Sequence, residues 1–452
     1  MAERRKQSVN GMTTGVIWQQ ILFFFLPILV GSLLQQLYNT ADAMVVGRFV
    51  GTAALSAVGG TTNTIINLII GFFVGLSSGA TVIISQYFGG GDLGEVRRSV
   101  HTALALCLVG GVALMAVGLA ATPWLLRALS TPEDVMSFAV PYLRIFFLGT
   151  IPNLMFNIGS GILRAVGDTM RPLYFLVMTS VLNILLDLLF VLGFHCGIEG
   201  VAWATVLSQF ISALLILALL TRSDDIYRLS WHDLRIDRAI LGSIFAIGLP
   251  AGIQSVITAF SNVFVQSDIN FFGSSCMAGW SCYNKLDQFV MLPMQSMSMA
   301  ATTFVSQNIG AGREERANRG TVITVSMAVG VTAVIVALLC LFAAPAVGLF
   351  SPDESVIAYG VLFIRANCFF LLFNCVNHVL AGALRGRGDS RGPMIIMLLS
   401  FVGIRQIYLF AVTRFVANTP LLVGFGYPVG WTTCCIIEVT YFFLRWRRPA
   451  RR

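Results

Sequence analysis

Apolar residues in this chain run in long blocks, separated by short clusters of glycine, proline and arginine. A helix needs roughly 20 apolar residues to cross the hydrocarbon layer of a bilayer, and most of the blocks reach that length. Reading blocks against breaks predicts twelve membrane-spanning helices. They cover 14–47, 53–86, 100–122, 136–161, 171–194 and 199–221, then 239–271, 275–306, 320–343, 356–384, 393–416 and 420–444. Pro27, Pro250 and Pro293 fall inside three of the longest, which predicts kinks or tilt there.

The first block breaks its own rule. No charge occurs from Gly11 to Ala41; then comes Asp42, followed at once by Ala43, Met44, Val45 and Val46. Gln35, Asn39 and Asp42 are spaced i, i+4, i+7 and so are expected on one face of the helix. A polar stripe ending in a carboxylate, on a helix otherwise fit for lipid, predicts a face turned toward protein interior or a water-filled cavity.

The pattern also repeats. Ser85-Gln86, Gly89-Gly90-Gly91 and Arg98 recur as Ser306-Gln307, Gly310-Ala311-Gly312 and Arg319. Leu163-Arg164 and Gly167-Asp168-Thr169 recur as Leu384-Arg385 and Gly388-Asp389-Ser390, and Pro172 maps to Pro393. Near the two starts Leu26-Pro27 matches Leu249-Pro250, and Asn39 pairs with Asn262. Six helices per copy is an even number, so the repeat is parallel, about an axis along the membrane normal. The expected architecture is an all-α polytopic membrane protein of two six-helix lobes. The amino-terminal lobe is expected at 1–221, a linker at 222–238, and the carboxy-terminal lobe at 239–452.

Composition sharpens the class. Of 452 residues 56% are hydrophobic and 11% charged, against about 25% charged in soluble domains. The basic N-terminus, MAERRKQSVNG, is followed by no short apolar core with a cleavage site, so the first helix is expected to be retained. The net charge of +8 would suggest nucleic acid in a soluble protein. Here most arginines sit at the two termini and in the loops on one side, from Arg97-Arg98 through Arg222–Arg238 to Arg445. The positive-inside rule then puts both termini in the cytoplasm of a multi-pass protein of the cell membrane, with no nucleic-acid partner.

Other chemistry is thin. The nine cysteines lie mostly in apolar runs with no CxxC pair, and the histidines (101, 195, 232, 378) show no ligand spacing. Neither lysine, Lys6 or Lys285, sits in a GxxxxGK[ST] loop, which removes a Walker A nucleotide site. No acid–base pair or nucleophile constellation marks an enzyme, and no filter-like loop marks a channel.

One constellation stands out where the two copies diverge. Asn183 and Asp187, i and i+4 on the fifth helix, correspond to Ile404 and Tyr408, and Asp42 corresponds to Val265. Asp42, Asp187 and Thr205 each fall about one to two turns below the outer end of their helices. Two carboxylates, an amide and a hydroxyl at one depth make a hard-oxygen cluster able to hold a small cation or protons.

These motifs, YNTADAMVVGRFVG, SQYFGGGD, LRAVGDTMRP, LNILLDLLF and GVAWATVLSQ, resemble the multidrug and toxic compound extrusion (MATE) family over nearly the whole chain. The resemblance implies two lobes around a central cavity that alternate between inward- and outward-facing states. It implies export of bulky, often cationic amphipathic drugs in exchange for protons or sodium, with no other cofactor and a monomer in the lipid bilayer. It implies coupling through Asp42 and through Asn183, Asp187 and Thr205. Some relatives use acids on the seventh and tenth helices; here the tenth has none and the seventh has Asp268. Gln35, Asn39, Lys285, Asp287 and Met291 are expected to line the substrate cavity, Lys285 and Asp287 alternatively pairing with other helices. Arg144, Arg365 and Arg405 are expected as structural pairs or interface anchors, with Glu438 as a partner. A flippase for a lipid or lipid-linked oligosaccharide is the rival within transport; its phosphate groups would need several basic residues in the cavity.

Overall fold

Among the described residues of this computed structural model, 11–129 and 131–446, every regular element is helical. Arg4, Arg5, Lys6, Arg447, Arg448, Arg451 and Arg452, which carry part of the expected charge asymmetry, lie outside them. The long helices are α1 Ile17–Val50, α2 Thr61–Gly90 (after the short helix Thr52–Gly59) and α3 Leu93–Ala128. Next, α4 runs over Glu133–Leu148 and, past a 48° bend, over Thr150–Ala165; α5 is Met170–Gly193 and α6 Gly197–Arg222. The second copy supplies α7 Arg238–Asn270, α8 Ser274–Gly310, α9 Glu314–Leu341, α10 Glu354–Gly386, α11 Arg391–Val416 and α12 Pro420–Trp446. All but α8 are long and apolar enough to cross a membrane, counting bent α4 as one span. At 37 residues, or roughly 55 Å, α8 has the length but carries Asn284, Lys285, Asp287, Gln288 and Gln295. It packs on α9 and α10, and its C-terminal part buries Thr302, Thr303, Ser306, Gln307 and Asn308. Neighbouring helices, in place of lipid, receive those polar groups.

The repeated glycine motifs turn out to be helix punctuation. Gly167 and Gly388 end α4 and α10 with φ of 97° and 85°, a region that favours glycine. The residue after each closes the helix: Asp168 N–H donates to Leu163 O at 2.9 Å and Asp389 N–H to Leu384 O at 3.0 Å. The same aspartates then start the next helix. Asp168 Oδ1 accepts from the N–H groups of Met170 and Arg171, and Asp389 Oδ1 from that of Gly392. Stop and start are thus encoded in one Gly-Asp pair per copy.

Packing divides the chain into two compact units, and the division is offset from the sequence repeat. One unit contains Leu26–Gly252; the other contains Met12–Phe25 and the chain from Ile253 onward. The expected linker and the first part of α7 therefore belong with the first six helices. The physical reason lies in local ties. Arg97 pairs with Asp233 at 2.6 Å, Arg98 with Asp237, and the buried His101 ring accepts the Ser230 N–H at 3.1 Å. Tyr227, Leu229, Ile240, Ile244 and Ile247 join the same apolar core as Leu104, Ile158 and Ile216. In the other unit, Met12 N–H donates to Gln307 Oε1 at 2.8 Å, and Arg313 donates to Thr13 O at 2.7 Å.

Candidate functional site

In the first unit, α1 and α5 each bring a carboxylate to the edge of an irregular turn. Asp42 precedes the π-helical stretch Val46–Val50, and Asp187 precedes the π-helical Leu189–Gly193. Widened turns of this kind often mark functional sites. Around them Val46, Ala57, Tyr142, Val191, Val201 and Val206 form an apolar core. Val45 and Val46 from α1, Val191 from α5, and Val201 and Val206 from α6 bring these three helix ends into the one core.

The acids are inside. Asp42 is 9% exposed, Asn183 2% and Asp187 0%. Asp42 is close enough to Asp187 and to Thr205 for their side chains to act on one another. Yet Asp42 Oδ1, both oxygens of Asp187, and the amide nitrogen and oxygen of Asn183 have no hydrogen-bond partner. Thr205 donates its hydroxyl proton to Val201 O at 3.0 Å, which leaves its oxygen lone pairs free to accept. Two ionised carboxylates are acceptors only, so face to face they repel unless a proton or cation lies between them. The set Asp42, Asn183, Asp187 and Thr205 has the hard, mostly oxygen character suited to a proton or a small alkali cation.

Sequence reasoning missed two tyrosines. Tyr38 and Tyr142 both sit close enough to Asp42 to feel its charge, and Tyr142 also feels Asp187. Tyr38 was discernible as the residue one turn before Asp42 on the same face. Tyr142 lies on α4, and nothing in its own neighbourhood points to α1 or α5.

Other expected site residues part company. Gln35 and Asn39 are exposed while Asp42 is buried, so the stripe does not enter the first unit as one face. Of α1 only the C-terminal end, at Val45, Val46 and Val50, joins the apolar core, and no residue from 32 to 41 is buried. In the second unit Lys285 is exposed, its Nζ 5.5 Å from the centre of the Phe350 ring. Asp287 is half-buried with Oδ1 unpartnered, beside Tyr283 and Tyr427. Met291 Sδ accepts from Asn374 Nδ2 at 3.4 Å. Met294 and Met297 are buried as packing residues. Glu438 does not partner Arg144, Arg365 or Arg405: the arginine that feels its charge is Arg385.

Comparison with known proteins decides the family. A family model described as MatE matches residues 27–189 and 250–410, one stretch in each sequence copy. The chain belongs to the MatE family. It is therefore a membrane transporter and not an enzyme. Among MatE relatives, a probable multidrug resistance protein, YpnP of Bacillus subtilis, is 28% identical over 96% of this chain and 97% of its own length. The probable multidrug resistance protein NorM of Thermotoga maritima is 25% identical over 88% of this chain and 86% of its own. A solved structure, described as the outward-facing conformation of a multidrug resistance MATE family transporter, matches with a TM-score of 0.93. It is 23% identical and covers 98% of this chain and 99% of that one, which establishes a shared MATE fold of twelve helices in two lobes.

Proposed function

We propose that this chain exports bulky, often cationic amphipathic drugs in exchange for protons, sodium or both, by alternating access. The observation that carries the reading is the buried Asp42–Asp187 pair with unpartnered oxygens. The relatives' names, multidrug resistance and multidrug export proteins, support the drug-efflux part. A cation that sits between the two carboxylates would favour the conformation that holds them together, and release would free the other. Drug binding drives the cycle only through a difference in affinity between those states. The reading includes a monomer in the cell membrane with both termini cytoplasmic. A flippase has less support, because its candidate basic residues are scattered: Lys285 and Arg365 are exposed and Arg405 is buried.

The test is efflux of a fluorescent cationic dye from liposomes under an imposed pH or sodium gradient. Wild type should move dye only when the gradient is present. Asp42→Asn should insert and fold normally but fall below about a tenth of the coupled rate, since an amide cannot bind and release the cation. Full drug resistance from a well-expressed Asp42→Asn protein contradicts the assignment.

A further inference from the structure

The second unit holds a charge that the cation site does not use. Arg405, on α11, is 1% exposed. None of the ion pairs among the described residues includes it. Its guanidinium donates to Ser261 Oγ and, from both Nη atoms at 3.2 Å, to Asn262 Oδ1. It lies 5.1 Å from the centre of the Tyr427 ring and 5.9 Å from that of Phe401. Its Nε is buried with no acceptor at all.

Neutral oxygens and ring faces solvate a guanidinium but do not neutralise it. An unpaired charge within a membrane-spanning segment is costly, and such residues usually mark a pathway or a bound counter-ion. Two further observations point the same way. The π-helical stretch Leu398–Ile404 ends immediately before Arg405, and π-helical stretches begin two residues after Asp187 and four after Asp42. In the repeat, Ile404 and Tyr408 stand where Asn183 and Asp187 stand, and Asn262 stands where Asn39 does. The first unit thus collects two carboxylates where the second presents one cation. Asp287 also neighbours Tyr427, but no ion pair joins it to Arg405. Asn262 and Tyr427, which contact the guanidinium, keep part of their surface exposed.

We propose that Arg405, with Ser261 and Asn262, forms an anion site that takes a single carboxylate-like or halide charge. Its occupant is either the carboxylate of a zwitterionic transported compound or a free halide. The planar fork of arginine matches a carboxylate in two parallel hydrogen bonds, and the free Nε supplies one of the donors. Only the transport arm of the test rests on the exporter reading above.

The binding arm titrates sodium bromide against sodium hexafluorophosphate, a weakly coordinating anion that is neither carboxylate nor halide, on the purified protein at constant sodium. Bromide quenches tryptophan, and Trp280 and Trp431 stack on Tyr427 at 5.3 and 5.4 Å. Both are buried, so quenching of these two should saturate, above the linear quenching of exposed tryptophans. Arg405→Met should abolish the saturable part. The transport arm compares rhodamine 6G, an ester cation, with rhodamine 19, its zwitterionic free acid. A substrate carboxylate at the site predicts that Arg405→Met lowers rhodamine 19 export about tenfold relative to rhodamine 6G. A free halide predicts an unchanged dye ratio with the bromide response lost. Asn262→Asp covers the case in which Arg405→Met fails to fold: it gives the guanidinium an internal partner and should remove both responses. The proposal is overturned if wild type shows no saturable bromide quenching and its dye ratio equals that of Asn262→Asp. If wild type shows saturable quenching that Arg405→Met loses, while neither dye is moved by wild type or any variant, the anion site stands and the exporter reading fails; saturable quenching that persists unchanged in Arg405→Met overturns the site.

Discussion

Asp187 and Asp268 carry the same side chain on helices of different lobes, and their surroundings set them apart. Asp187 is fully buried beside Asp42, one turn from the unpartnered amide of Asn183; Asp268 is half-buried near the end of α7, with no second acid described beside it. Sodium prefers several oxygens at once, and only the first setting offers them. Asp187→Asn should therefore remove a sodium-induced fluorescence change or sodium-dependent efflux, whereas Asp268→Asn should keep most of it. The reverse result would move the coupling site to the other lobe. The burial of Asp42 and Asp187 was legible because a carboxylate in an apolar run is conspicuous by itself, and Asn183 shares a helix face with Asp187 one turn away. Tyr142 was not, and neither was the isolation of Arg405. Whether a charge has a partner depends on what faces it across the bundle, which spacing along one helix cannot show.

Helix count and order were legible from apolar block length, and so was the Gly-Asp repeat, although its meaning was capping. Less visible was how closely helices meet. On α2, a Cβ at Gly75 would lie 2.3 Å from the Gly252 nitrogen, and one at Gly79 would lie 2.4 Å from Ile244 O, both on α7. Backbone against backbone leaves no flexible side chain to yield. Gly79→Val should cost about 1–3 kcal/mol through overpacking, seen as a lower melting temperature of the purified protein. A control at Gly110, where the nearest atom is the Phe73 ring at 3.9 Å, should melt close to wild type after Gly110→Ala. Equal stability of Gly79→Val and wild type would mean that α2 and α7 do not approach this closely. The polar helix α8 was legible as a block at 275–306, although its charged and amide residues keep it below the apolarity of the other eleven; its polar side is received by neighbouring helices.

Taken as a whole chain, the predicted sidedness can be read with a residue already present. Cys196, in the turn between α5 and α6, is exposed, whereas seven of the other eight cysteines are buried and Cys340 is partly so. With both termini inside, an impermeant maleimide added to intact cells should label Cys196. In a Cys196→Ser background it should miss a cysteine introduced by Ser230→Cys. External labelling at position 230 would break the twelve-helix, termini-inside topology.

The packing units begin out of step with the sequence copies: Met12–Phe25 goes with the second unit, and the first part of α7, to Gly252, with the first. A copy excised at the boundaries of its own repeat would thus carry one helix end that packs elsewhere and lack another that it needs. The copies cannot be shuffled or inherited as independent modules.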